Sequence, residues 1–514
     1  MVLRIGIDVG GTNTDAVLME GTNVIAKIKT PTTEDVTGGI TTALRHVLGA
    51  SGTATADIAG VMIGTTHFTN AVVERKRLEP TAAVRLGLPA TEALPPFVDW
   101  PDDLADVLGR HTYLCHGGHE FDGREISPLD VDELKRVAAD LKAKGVTAVA
   151  VSSVFSPVNP SMEQEAAALI EAEAPGSSVT ISSEIGRIGL LERENAAILN
   201  ACLRALARQT VAAFRRAISE LGITAPLYLT QNDGTLMSAD FAEQYPVLTF
   251  ASGPTNSMRG AAFLSGLKDA MVVDVGGTTT DVGALTHGFP REASVAVDIG
   301  GVRTNFRMPD VYSFGLGGGS LVREDPLRVG PQSVGYRITK EARVFGGETL
   351  TTTDVAVAAG VADIGDAERV RDFDPALVQS TMDRIQEMTE AAVDRMKTSA
   401  EPIPVIVVGG GSILIASPVA GASEMVKPEH FEAANAVGAA IGQISGEVDR
   451  VYALESRSRA EAIDEAKAEA SQKAIAAGAD PATIQIVDVE DVPLTYLPGN
   501  ATRIRVKAVG DLTL

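Results

Sequence analysis

Short apolar runs of strand length occur at residues 3–7, 24–29, 59–64, 146–153, 227–230 and 405–408. Stretches with helical spacing lie between them, at 37–48, 131–144, 157–172 and 375–397. Strands alternating with helices predict an α/β chain in which sheets are flanked by helices. Residues 192–221 form a long alanine-rich helical stretch. The Ser252-Gly253-Pro254 break precedes a helix of small residues at 255–265, and a similar helix is expected at 433–444. Residues 302–347 are glycine-rich and read as loop. The end of the chain differs: a charged helix at 456–477, then strands at 484–489 and 503–509, with turns at Pro493 and Pro498. This predicts a small appended α+β module.

One internal echo organises the pattern. Residues 7–15 read I-D-V-G-G-T-N-T-D and residues 273–281 read V-D-V-G-G-T-T-T-D. Each follows an apolar run and reads as strand, glycine turn, strand, a β-hairpin. Two distant copies predict two related α/β domains. The adjacent glycines, Gly10 with Gly11 and Gly276 with Gly277, let backbone approach a ligand with no Cβ in the way. Their N–H groups, with Thr12, Asn13, Thr14, Thr278 and Thr279, can cup phosphate oxygens. The leading acids, Asp8 and Asp274, end their strands, where they can hold Mg2+ from opposite sides. Asp15 and Asp281 trail the turns and are the next candidates. A third glycine element, Gly409-Gly410-Gly411-Ser412, follows the 405–408 run and would let backbone pack on adenine and ribose. A second triplet, Gly317-Gly318-Gly319, reads equally as a ligand loop or a plain turn.

Composition narrows the class. The 514 residues carry a net charge of -23, with no basic stripe, which excludes nucleic acid as a natural partner. An anionic nucleotide must therefore be held by local N–H groups and a metal. Two cysteines, Cys115 and Cys202, exclude a disulfide framework. Aromatics make up only 4% of the chain, so the cores are aliphatic. No apolar stretch approaches the ~20 residues of a membrane helix, and the first strand opens at once, so a cytoplasmic protein is expected.

The two hairpins followed by a V-G-G-x-S loop resemble the phosphate and adenosine motifs of the actin/sugar-kinase/Hsp70 superfamily. More narrowly, the chain resembles the hydantoinase A/5-oxoprolinase family over roughly residues 2–450. The shared segments are residues 6–15, then Thr65-Thr66-His67-Phe68-Thr69-Asn70 with Glu74-Arg75, then Gly118-His119-Glu120-Phe121-Asp122-Gly123-Arg124. Later come Gln231-Asn232-Asp233-Gly234, residues 252–254 and residues 274–278.

The resemblance implies an actin-like, ribonuclease H-like ATPase fold. Its expected parts are an N-terminal lobe at 1–190, a second lobe at 191–450 and the small module at 451–514. It implies ATP and Mg2+, with phosphoryl transfer to the oxygen of a cyclic amide such as a hydantoin, 5-oxoproline or a lactam before ring opening. Phosphorylation turns a resonance-stabilised amide into an electrophile, and positioning and charge stabilisation carry the catalysis. Thr65, Thr66 and Asn70 are the implied substrate-side residues. A B-type partner subunit and a homo- or hetero-oligomer are implied as well. The rival readings are an actin-fold activator of another enzyme, a carboxylase subunit and a small-molecule kinase. The sequence departs from the family at Val275 and Thr279, at residues 336–343 where a cysteine run is usual, and at Asn232-Asp233, where the substrate or partner is expected to be read.

Other residues carry two readings each. His111, Cys115, His116 and His119 could bind zinc, or simply line a loop beside the substrate cleft. His67 is either a substrate contact or a loop histidine. Glu192 and Arg193 read as a helix start, Cys202 as core, and 457–473 as a solvated helix face.

Overall fold

Three sheets organise the chain in the computed structural model, which describes residues 2–10, 13–32, 36–293, 296–455, 457–494 and 500–513. The first grows from the opening apolar run. Strands β1 (Leu3–Val9) and β2 (Asn13–Glu20) pair as a hairpin that sets Asp8 opposite Asp15. On the far side of β2 lies β3 (Asn23–Pro31), and β4 (Ile58–Thr65) runs parallel to β1 after the helix Val36–Ser51. Beyond β4 the sheet continues through β9 (Leu227–Thr230), β10 (Thr235–Ser238), β21 (Gln443–Tyr452), β23 (Thr502–Gly510) and β22 (Gln485–Pro493). The helix Leu190–Glu220 and the helix Val36–Ser51 cover it with Leu206, Phe214, Ile40 and Leu44.

The second sheet repeats the start of the first. Strands β11 (Ala270–Val275) and β12 (Thr280–Thr286) form a hairpin that sets Asp274 opposite Asp281. Parallel to β11 runs β19 (Ile403–Val408), and then β20 (Ala422–Val426). The short strands β13 (Phe289–Pro290) and β16 (Val311–Phe314) flank β12. The echo in sequence is thus an echo in topology: a hairpin whose first strand takes parallel neighbours. The 302–347 stretch, expected as loop, also holds strands, in the ribbons β14 (Val297–Ile299) with β15 (Val302–Thr304) and β17 (Ser320–Glu324) with β18 (Leu327–Ser333). These pairs are too short and too glycine-interrupted to show as an alternating pattern.

The third sheet is all parallel: β5 (Thr81–Leu88), β6 (His111–His116), β7 (Ala148–Ser153) and β8 (Ser178–Ile181), in the order β6-β5-β7-β8. Ala83, Ala148 and Ala150 face the 190–220 helix, while Val84 and Val149 face the helices Val131–Lys144 and Ser161–Glu173.

Sheet membership cuts across the expected division at 190 and 450. Strands β9, β10 and β21 return to the first sheet, so the first lobe is discontinuous in sequence. The expected C-terminal module does not stand apart either. Strand β23 pairs with β21 from Ile444–Gly510 to Tyr452–Thr502, and the helix Arg459–Ala476 covers both through Ala462, Ala466, Ala470 and Ala474. Long-range pairing of this kind leaves no mark in local sequence.

Two helices cross where the chain passes between lobes: Ser252–Ser265 on the way out and Ala434–Ala440 on the way back. A Cβ at Gly260 would lie 1.8 Å from the Ala434 carbonyl oxygen, and one at Gly438 would lie 1.9 Å from that of Asn256. The helices therefore touch backbone to backbone. No helix among the described residues is long and apolar enough to cross a membrane.

Candidate functional site

The two hairpins are built alike at their turns. Gly10 N–H donates to the Asn13 carbonyl at 3.0 Å, and Gly276 N–H donates to the Thr279 carbonyl at 2.9 Å. Gly11 and Thr12, both expected at the first turn, lie outside the described residues. The third glycine element locks onto the second hairpin. Gly411 N–H donates to the Val275 carbonyl at 2.7 Å. Gly409 sits at φ +87, where a Cβ would come within 2.3 Å of Asp274 Oδ1, so only glycine fits there. The other triplet braces the second hairpin, and its Gly318 lines the same interlobe cavity as Gly276 and Gly277. Gly318 and Gly319 N–H donate to the carbonyls of Gly276 and Gly277, and the Thr353 hydroxyl donates to the Gly318 carbonyl at 2.7 Å.

These turns enclose a cavity of about 370 Å³ between the lobes. Its polar end is lined by Asp8, Gly10, Asn13, Asp15 and Lys29 from the first lobe and by Asp274, Gly276 and Gly277 from the second. Gly409, Gly410 and Gly411 form one wall, and Ile338, Phe345, Ile364 and Ile413 make an apolar end. The 336–343 departure from the family, expected to bear on substrate or partner, thus contributes Ile338 to this same cavity. Thr14, Thr278, Thr279 and Ser412 are not on the lining. Thr14 meets Thr32 at 3.3 Å between hydroxyls, and Ser412 is buried with no hydrogen-bond partner for its hydroxyl among the described residues.

The acids interact strongly. Asp8 is buried, and burial, with Asp15 and Asp274 adding to it, pushes its carboxyl up to about 6 against the hydrogen bonds it accepts. Asn256 Nδ2 donates to Asp8 Oδ1 at 3.1 Å, and Asn435 Nδ2 donates to Asp8 Oδ2 at 3.1 Å and to Asp15 Oδ2 at 2.8 Å. Lys29 pairs with Asp15 at 2.8 Å. Burial also raises Asp274, with a hydrogen bond from Ser257 opposing it. Asp281 is raised to about 7 by burial and by Asp274, but it bonds Ser313 and does not line the cavity. Carboxylates that line one cavity with little local cation are a donor chemistry that suits a hard divalent ion.

Thr65, Thr66 and Asn70 do not reach the cavity. Thr65 ends β4 beside Val9, is buried, and accepts from His67 N–H at 3.2 Å. Thr66 precedes the helix His67–Glu74, and Asn70 Nδ2 donates to its hydroxyl at 3.4 Å. They cluster with Ser252, whose hydroxyl donates to the Thr65 carbonyl at 3.2 Å, one strand away from Asp8. His67 bonds Arg77 and is held below its usual range by burial and by that cation.

The zinc reading of His111, Cys115, His116 and His119 is not supported, since these four side chains do not come together. His111 and His116 sit at opposite ends of β6, and burial pushes the Cys115 thiol up to about 12. His116 instead gathers with Asp130 and Glu133, at an exposed helix start. His119 is buried against Asn159.

Sequence reasoning missed Asn256, Asn435, Ser257 and Lys29. A polar amide inside a helix of otherwise small residues is the signal that marks both asparagines. It also missed an ionic cluster on the Gln231–Gly234 loop. Asp233 is buried and paired with Lys507 at 2.8 Å and Arg307 at 3.2 Å; burial alone would raise it, but these two cations hold it well below the usual carboxylate range.

Two lobes of like topology, each presenting a glycine hairpin and its acid to one shared cavity, define the actin-like fold. Solved structures agree. ATP-dependent caprolactamase from Pseudomonas jessenii superposes with a TM-score of 0.78 at 20% identity, covering 99% of this chain and 88% of that one. Nucleotide-free acetone carboxylase superposes at 0.71 with 18% identity, covering 100% and 88%. The family model for the hydantoinase/oxoprolinase N-terminal region matches residues 4–174, and that for hydantoinase/oxoprolinase matches residues 193–366. The chain belongs to the hydantoinase/oxoprolinase family. Caprolactamase subunit alpha from Pseudomonas jessenii is 29% identical over 390 residues, which is 70% of this chain and 54% of that protein. The chain spans little more than half the length of the curated relatives it matches.

Proposed function

We propose that the chain binds Mg-ATP in the interlobe cavity and uses it to activate the amide of a small cyclic amide, as the A-type subunit of an ATP-dependent hydrolase. The observation that carries this reading is the convergence of Asp8, Asp274 and two glycine turns from separate lobes on one cavity. The turns bring backbone close to the phosphates without intervening side chains. Asp8 and Asp274 hold the metal, and Asn256 and Asn435 fix the Asp8 carboxylate so that it faces the cavity. Bound Mg2+ supplies charge neutralisation for the phosphates. The apolar end receives the base. Thr65, Thr66 and Ser252 lie one strand away and stand on the side where the acceptor enters.

Similarity to caprolactamase subunit alpha supports a cyclic amide as acceptor and a second subunit as partner. A ketone carboxylase subunit is the second reading, favoured by the resemblance to acetone carboxylase. Both readings share phosphoryl transfer to a carbonyl-type oxygen. The cytoplasm is the proposed location. Phosphate release from Mg-ATP, followed with hydantoins, 5-oxoproline and lactams and separately with ketones plus bicarbonate, tests the reading. Stimulation by a ring amide that vanishes in Asp8→Asn is the expected result. Stimulation by ketone and bicarbonate alone would overturn the amide reading.

A further inference from the structure

The interlobe cavity divides by lobe as well as by polarity. From the first two strands and β3 it receives only polar residues and a glycine: Asp8, Gly10, Asn13, Asp15 and Lys29. Its large apolar residues come from later in the chain. Ile413 packs on the core of the second sheet, and Ile338, Phe345 and Ile364 pack on one small core with Val344 and Val357. A nucleotide that buries its base among these residues runs its phosphates toward the first lobe. Its last phosphate then lies nearest that lobe's own side chains.

Among the described residues that line the cavity, Lys29 is the one cation, set against the carboxyl groups of Asp8, Asp15, Asp274 and Glu432. Strand register puts it there. Lys29 on β3 stands directly opposite Asp15 on β2, so the two side chains share a face of the sheet. The Lys29 amine lies 2.8 Å from the Asp15 carboxylate. That carboxylate is 3% exposed, whereas the lysine side chain is 40% exposed. The ammonium is therefore tethered by its ion pair while its stem is unpacked and free to swing. Its charge also reaches Asp274 from the other hairpin, where it opposes the upward push of burial. Lys27, two residues earlier on the same face, is instead held by Glu432 and His430 and does not line the cavity. Mg-ATP brings further negative charge into this acidic space. An ammonium on a flexible stem suits a phosphate as a movable point charge.

We propose that Lys29 reads the length of the phosphate chain. With a nucleoside triphosphate its ammonium leaves Asp15 and donates to the terminal phosphate; with a diphosphate it stays on Asp15. Asp15 is thus the competitor that takes the cation back once the terminal phosphate has gone, so ADP is held less tightly than ATP and leaves. Lys29 keeps its proton throughout, and no covalent bond to it forms or breaks. The proposal rests on the Mg-ATP reading of the cavity and assigns the residue that sets its preference between substrate and product.

Calorimetric titration of the full chain with Mg-ATP and with Mg-ADP tests this through the ratio of the two dissociation constants, which cancels any effect on the part the nucleotides share. The unmodified chain should prefer ATP by about tenfold or more, the worth of one charge-assisted contact. In Lys29→Met the ratio should fall to near one, chiefly by loss of ATP affinity, and Lys29→Arg should keep most of the preference. The double variant Asp15→Asn/Lys29→Met removes both members of the pair, leaves no carboxylate stranded, and should also show a ratio near one. ADP binding in each variant reports that the site is still folded. A preference for ATP that survives in Lys29→Met and in the double variant, or equal affinity for ATP and ADP in the unmodified chain, would overturn the assignment of Lys29 and leave the Mg-ATP reading standing. No binding of either nucleotide by the unmodified chain would overturn both.

Discussion

Asp8 concentrates the chemistry of this chain in one carboxyl. Its pKa rises from 3.8 to about 6, first because it is buried and then because Asp15 and Asp274 lie near. A carboxyl raised in the folded state is favoured when protonated. It supports the fold fully below its unfolded value, and that support is lost as pH climbs through about 6. The metal-free chain should therefore lose on the order of 3 kcal/mol from this group between about pH 4 and pH 7. Thermal denaturation of the unmodified chain and Asp8→Asn over that range checks this: the variant should show a flatter profile, and identical profiles would refute it. Asp233 has the opposite sign. Lys507 and Arg307 depress it, so its support is present above the ordinary aspartate value and fades in strong acid. Lys507→Met leaves a buried carboxylate short of its nearest cation and should cost about 3–5 kcal/mol in chemical denaturation. The acids Asp8 and Asp274 were legible in sequence because glycine turns after strands are local patterns. Asn256 and Asn435 were not, since they meet Asp8 across 248 and 427 residues of chain.

Glycines decide how elements meet. Gly260 and Gly438 let the two interlobe helices touch, and a methyl group at either would strike a carbonyl oxygen at under 2 Å. Gly260→Ala should cost roughly 1–3 kcal/mol or more, read from the denaturant midpoint, and a neutral result would contradict the crossing. Gly409→Ala strains a left-handed backbone and crowds Asp274, so nucleotide affinity should fall at least about tenfold in a binding assay while the fold survives. The same scale shows where sequence reading stopped. A glycine triplet marks a turn, but what it packs on depends on partners far away: Gly409 to Gly411 line the cavity, while Gly317 to Gly319 brace the second hairpin and put Gly318 on the lining as well. Strands β22 and β23 were visible as apolar runs, yet their place in the first sheet is fixed only by pairing, β23 with β21 and β22 with β23.

At the scale of the molecule, two lobes share one cavity and are joined by a backbone-tight helix crossing. The acidic surface, net charge -23, gives no general attraction for a nucleotide, so affinity must come from the cavity and its metal. Binding across both hairpins would draw the lobes together. Isothermal titration calorimetry of the chain with ATP, in the presence and absence of Mg2+, tests this most directly, with Asp274→Asn and Gly409→Ala alongside. One site per chain, dependent on Mg2+ and weakened in both variants, is the predicted outcome. No heat of binding in the unmodified chain, or binding indifferent to Mg2+ and to both substitutions, would contradict the account.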